Sequence, residues 1–414
     1  MQTVTPKGIF LGLLLFVTPA VVQGQFGYMT NADNTNTITI TNYSGPGGAV
    51  TIPTNINGLT VASIGSNAFC TNGSLTSVTI PDTITSIGYE AFFFCTSLTN
   101  VTISNSVTNI GYYSFGDCRN LTIMTIPEGV TTLGEGAFYA CIKLRSVTIP
   151  GSVASMGNYV FASCTSLTNV SSLGNVTSIG DYAFNDCSGL TKITIPDTVT
   201  RIGDAAFVGT SLTNITIPGS VTSIGDGSTG GTGPFCGCTS LITVSIASGV
   251  INIEEDAFDG CTSLANVTIP ASVTSIGSYA FYDCTGMAGV YFAGNAPGLG
   301  SDGPFADGSY YDHHPTLYYL PGTTGWSSTF AGLTSVLWNP LIEAGDGSLG
   351  VSNNQFGFNI TGTNNFTVVV EACTNLGNPV WTPLQTVTLI NGSFYFSEPL
   401  QTNIACRFYS LALP

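Results

Sequence analysis

Basic residues are scarce in this 414-residue chain: seven Lys and Arg stand against 23 Asp and Glu, for a formal net charge of −16. Nucleic acid and anionic membrane surfaces are therefore poor partners, because phosphates are held by a stripe of Lys and Arg and none can be drawn here. Histidine is scarcer still. His313 and His314 are adjacent, with Asp302, Asp307 and Asp312 nearby, and no further ligand follows at metal-binding spacing, so a solvated loop is expected. Glu254-Glu-Asp256 has no opposed carboxylate of the glycosidase kind. Glycine is abundant, yet no phosphate loop with its Lys occurs. The sequence thus presents no catalytic constellation, metal site or cofactor site.

Long apolar runs are limited to one. Ile9 to Val17 follows Lys7 and is closed by Pro19, short of the roughly 20 residues that a membrane span needs. We read residues 1–24 as a secretory signal cleaved near Gly24–Gln25. Six basic residues then remain against 23 acidic ones, about −17. The expectation is a secreted or cell-surface protein, outside the cytoplasm and without membrane insertion after cleavage.

What the chain does have is a period. Phe69, Phe92, Phe115, Phe138, Phe161, Phe184 and Phe207 recur every 23 residues, and Phe258 and Phe281 resume the phase after an insertion, Asp226 to Pro234. Such self-similarity marks a solenoid, whose units bury their apolar faces only against their neighbours. Each unit has three parts. Val101-Thr-Ile103 alternates as a short half-buried strand does. Val107-Thr-Asn-Ile110 forms a second extended piece, ended at Gly111 by a corner that suits a residue without Cβ. Asp181-Tyr-Ala-Phe184-Asn-Asp-Cys187 is short enough for a single helical or 3₁₀ turn.

The repeated Cys, Leu, Ile/Val, Ile-Pro, Val, Ile-Gly and Ala-Phe positions resemble the BspA-like cysteine-containing leucine-rich repeats of bacteria, over about residues 59–292. Ser172-Leu173 in place of Ile-Pro, and Phe207-Val-Gly-Thr-Ser-Leu212 without its cysteine, depart from the pattern. The resemblance implies a mostly β leucine-rich-repeat solenoid of short parallel strands and short helical turns, in a surface protein devoted to adhesion rather than catalysis. Residues 25–58 are expected as the N-terminal cap and 293–339 as the C-terminal cap. Residues 340–414, with five candidate strands and turns such as Asn391-Gly392, read as a small antiparallel β-sandwich-like module. Arg407, the sole basic residue after Arg201, is matched with Glu371.

Twelve cysteines would suggest a disulfide framework in a secreted chain. Cys95, Cys118, Cys141, Cys164 and Cys187, then Cys238, Cys261 and Cys284, instead follow the period. In-register side chains on successive coils suit disulfide geometry badly, so buried free thiols are expected. Cys70 and Cys236 fall out of register as unpaired thiols. Cys373 and Cys406, outside the repeats, are a possible disulfide.

The outward strand positions vary. Asn100, Ser146, Asn169, Lys192, Asn214 and Asn266 are the candidate ligand-binding residues, for an extracellular protein or polysaccharide on the sheet face. Three other readings stay open: a structural envelope or spacer protein; an ice-binding face made of threonine ladders such as Thr79, Thr102 and Thr125 with Thr85, Thr108 and Thr131; and a carbohydrate platform of Tyr113, Tyr159, Tyr182 and Tyr279.

Overall fold

The computed structural model describes residues 24–225, 231–305, 314–364, 366–377, 379–400 and 406–414. The expected signal, part of the glycine-rich insertion, and His313 with Asp307 and Asp312 lie outside them. The described chain is β throughout, without a helix. Two rows of parallel strands run the length of a solenoid.

The longer strands, such as Leu75–Ile80 and Asn100–Ile103, pair 23 residues apart, Val78 with Val101 and Thr79 with Thr102. The two-residue strands Ser86–Ile87, Asn109–Ile110, Thr132–Leu133 and Ser155–Met156 form the other row in the same register. Because a strand turns alternate side chains to opposite faces, Val78, Val101, Ile87 and Ile110 go inward, and the hydroxyls and amides between them go out. At the start, Phe26–Thr30 lies antiparallel on Thr37–Tyr43, which pairs parallel with Leu59–Ile64. That hairpin closes an end of the core that would otherwise be open.

The third side of each coil corrects the expectation of a helical turn. Ala183, Asn185 and Cys187 donate their N–H groups three residues back, to Gly180, Tyr182 and Phe184. The intervening N–H groups of Tyr182, Phe184 and Asp186 instead donate to Asp204, Ala206 and Val208 of the next coil, each at 2.8 Å. Handing alternate donors outward requires left-handed backbone at Tyr182 and Asp186, both with φ of 55°. A helix would keep every donor within its own coil and leave successive coils unlinked here.

The glycine column has a reason other than the expected corner. A Cβ on Gly180 would lie 2.4 Å from the carbonyl oxygen of Gly157, and one on Gly111 would lie 2.7 Å from that of Ile87. Successive coils approach too closely there for any side chain.

Eleven phenylalanines, from Phe69 to Phe305, stack through the core at centroid spacings of 4.8–5.6 Å. Phe235 restores the phase after the insertion, since Phe207 N–H donates to Pro234 and Phe235 N–H to Ala257. Tyr43 stacks on Phe69 and ends the column at the other side. The parallel sheet likewise continues beyond Phe292: Gly289–Phe292 pairs with Thr316–Tyr319, and that strand with Leu333–Leu337.

The cysteines form a column of donors. Each periodic thiol points at the carbonyl of the preceding coil's phenylalanine, as Cys118 does to Phe92 and Cys164 to Phe138, both at 3.2 Å. Where the cysteine is replaced, the Thr210 hydroxyl donates to Phe207 at 2.7 Å. Cys373 is buried, Cys406 is exposed, and no bridge joins them in the structure.

The final module contains two antiparallel sheets. Leu341–Glu343, Gln355–Thr361, Gly350–Ser352 and Ser393–Pro399 form one, and Thr382–Leu389, Phe366–Cys373 and Phe408–Ala412 the other. Arg407 pairs with Glu398 at 2.9 Å, not with Glu371.

Candidate ligand-binding face

The outward face of the longer strands is an array of amides and hydroxyls. Asn100 stands beside Ser77, Asn169 beside Ser146, Asn214 beside Thr243, and Asn266 between Thr243 and Gly289. One step along each strand run Thr79, Thr102, Thr125, Thr148, Ser171, Thr216 and Ser245, all exposed. Some neighbours are joined: Thr148 and Ser171 hydroxyls lie 2.6 Å apart, and Asn169 donates to Ser146 at 3.1 Å. Apart from Lys192 these positions are uncharged, so the face offers directional hydrogen bonds rather than a field.

Of the six candidates, Asn100, Ser146, Asn169, Asn214 and Asn266 stand on strands of this face. Lys192 does not, because residues 190–196 carry no strand. The cause lies one coil earlier. Val147 pairs with Val170 but Ile149 with Leu173, so one extra residue bulges out at the place where Ser172-Leu173 replaces Ile-Pro, and a bulge interrupts the ladder that the next strand would join.

The threonine rows differ in kind. Thr108, Thr131, Thr177 and Thr200 turn their hydroxyls onto the preceding coil, donating to the carbonyls of Thr85, Thr108, Ala154 and Thr177 at 3.1–3.2 Å. Those hydroxyls are committed to holding coils together, which weakens the ice-binding reading. The tyrosines are also poorly arranged for sugars. Tyr159 and Tyr182 stack at 4.7 Å with 4° between their planes, and Tyr89 and Tyr112 at 5.1 Å and 9°. Rings stacked in this way present edges outward, whereas a sugar packs on a ring face.

Sequence reasoning missed how the face ends. The outward positions change from polar to aromatic at Tyr291 and Tyr318, which stack on each other at 4.9 Å and are buried by the final module. Phe366 meets Tyr318 edge-on at 4.8 Å, and Trp338 donates its indole N–H to the Thr367 carbonyl at 3.3 Å. From there Leu413 and Pro414 extend over the neighbouring strands. They wall a cleft of about 470 Å³ whose other lining residues include Ile242, Thr243, Ser245, Asn266 and Thr268. Two tyrosines at positions otherwise held by Asn, Ser or Thr were the signal that this part of the sheet is covered.

Among the described residues no three His, Cys, Asp or Glu side chains are grouped as a metal site would require, and no helix is long and apolar enough to cross a membrane. Asp256 is the carboxylate most displaced, lifted to about 6 by burial, with Asp259 and Glu255 adding repulsion. It lies on the turn side of its coil, apart from the amide and hydroxyl face.

The repeat geometry agrees with a known profile. The BspA type leucine rich repeat region matches residues 62–188 and 154–288 in six copies, more than half of the chain. The chain belongs to this family. Repeats of the BspA type are typically found in non-catalytic surface proteins. Among solved structures, the chain is similar to a leucine-rich repeat protein from Bacteroides ovatus, at 25% identity over 76% of this chain and 98% of that one, with a TM-score of 0.43. It is also similar to a leucine rich cell surface protein from Faecalibacterium prausnitzii, at 29% identity over 66% and 94%, TM-score 0.34. The pneumococcal vaccine antigen PcpA is similar at 18% identity over 71% and 86%, TM-score 0.47. No curated protein matches the chain.

Proposed function

We propose that this BspA-type repeat protein is a secreted or cell-surface binding protein, without catalytic activity, that engages an extracellular protein or polysaccharide through its strand face. The observation that carries the reading is the array of amides and hydroxyls on the longer strands, from Ser77 to Ser171 and again from Asn214 to Ser245, exposed or half-exposed, uncharged and rich in hydrogen-bonding side chains, on a scaffold that orders those groups before a ligand arrives. A structural spacer would also be long and stable, but would not need this face to stay open.

The test begins with protein and glycan arrays probed with the purified chain. Replacing Asn100, Asn169 and Asn214 together by Glu should weaken any captured ligand at least about tenfold, while each substitution shifts stability by less than about 0.5 kcal/mol, as surface changes usually do. Binding should vary little with salt, because the face is uncharged. The comparison variant carries Val380→Glu and Ile390→Glu on the final module, where both side chains are exposed. Loss of binding in that variant, with the triple variant unaffected, would make the repeats a stalk and the module the binding domain.

A further inference from the structure

Where the strand face meets the final module, part of the face is already occupied by the chain itself. Phe408–Ala412 pairs antiparallel with Phe366–Cys373, Ala412 opposite Val369. This pairing aims the next two residues across the strands Thr243–Ile246 and Asn266–Ile269. Leu413 packs partly on the module's core, and the Thr268 hydroxyl donates to a carboxylate oxygen of Pro414, the last residue of the sequence. An outward hydroxyl of the sheet thus holds an extended stretch of polypeptide by the carboxylate of its last residue.

The cleft beside this contact can take more of the same. The hydroxyls of Thr243 and Ser245 and the amide of Asn266 line it without a hydrogen-bond partner among the described residues. Ile242, half exposed, and Leu413 add apolar surface to the lining. Its volume, about 470 Å³, falls within the range of ordinary ligand sites. No aromatic ring lines it, so it lacks the flat platform a sugar would stack on. Evenly spaced hydroxyls and an amide, with an aliphatic side chain beside them, suit a peptide that offers main-chain carbonyls and small apolar side chains.

We propose that the track from Ile242 to Thr268 is the site of an extended polypeptide segment of a partner, and that Leu413–Pro414 holds part of it in cis. This rests on the strand-face reading above and narrows the ligand to a protein. The probe is the pentapeptide Ser-Leu-Ala-Leu-Pro, the sequence of residues 410–414. It is titrated into the full chain and into a variant ending at Ala412, with hydrogen exchange read at residues 243–246 and 266–269. Leu413→Ser combined with Pro414→Gly in the full chain is the second variant, in case the shortened chain fails to match the parent in circular dichroism and melting.

The expected result is saturable protection of those two strands in whichever variant folds, at least about tenfold weaker in the parent, where the cis segment competes. Thr268→Val should weaken the peptide about three- to tenfold, the worth of one hydrogen bond. Absence of saturable protection up to about 1 mM peptide, the limit of weak recognition, overturns the proposal. So does equal binding by parent and variant. If the peptide fails while an array ligand is lost on substituting Asn100, Asn169 and Asn214, the peptide proposal falls and the strand-face reading stands.

Discussion

Raising the pH should unfold this protein through its thiols. Burial lifts the pKa of Cys95 to about 12 and of Cys238 to about 11, and holds those of Cys118, Cys141, Cys164 and Cys187 well above the ordinary thiol value. Cys261 is raised as well, first by the neighbouring Cys284 thiol and then by burial. An unfolded thiol ionises near about 8.5. All seven shifts are upward, so the stability they contribute is fully present below the unfolded pKa and is lost as pH rises toward the folded values. Each thiol then removes about 1.4 kcal/mol per pH unit, and seven together roughly 10 kcal/mol per unit. That rivals the whole stability of an ordinary domain, about 5–15 kcal/mol.

Guanidinium unfolding followed by circular dichroism, under reducing conditions, should therefore show stability holding to about pH 8.5 and collapsing before about pH 10.5. Replacing Cys164 by Ala should make the decline shallower by about 1.4 kcal/mol per unit. Unchanged stability across this range, or ionisation of the periodic buried thiols while the fold persists, would refute the buried donor column.

Two other outcomes follow from the same geometry. Phe184 is fully buried and stacked between Phe161 and Phe207 at 5.5 Å on either side, so Phe184→Ala should cost about 3–5 kcal/mol in equilibrium unfolding; a loss under about 1 kcal/mol would mean that the column can close over the gap. Ala205 has φ of 49° whereas its neighbour Ala206 is not left-handed. Ala205→Gly should be close to neutral or stabilising, and Ala206→Gly should lower stability by about 1 kcal/mol or more, measured by the same unfolding curves.

Much of this protein was legible in its sequence because repetition turns distant contacts into local ones. A residue in one coil meets its counterpart 23 residues away, so the spacing of Phe69, Phe92 and Phe115 already specified a stack, and that of Cys95, Cys118 and Cys141 a column of thiols. The outward position of Asn100, Asn169 and Asn214 followed from strand alternation alone, as did most strands of the final module. Tertiary structure decided whatever breaks the repetition or depends on how closely coils approach. The turn side alternates its N–H donors between coils, which no propensity for a short segment could reveal. Glycine recurs because backbones come within about van der Waals contact of one another, a distance fixed only once the coils are stacked. A single bulged residue took Lys192 off the sheet, and Arg407 found Glu398 across strands with no common period. The end of the face belongs to the same class. Leu413 and Pro414 reach Thr268 only because the final module docks on Tyr291 and Tyr318, and nothing periodic connects residue 414 to residue 268.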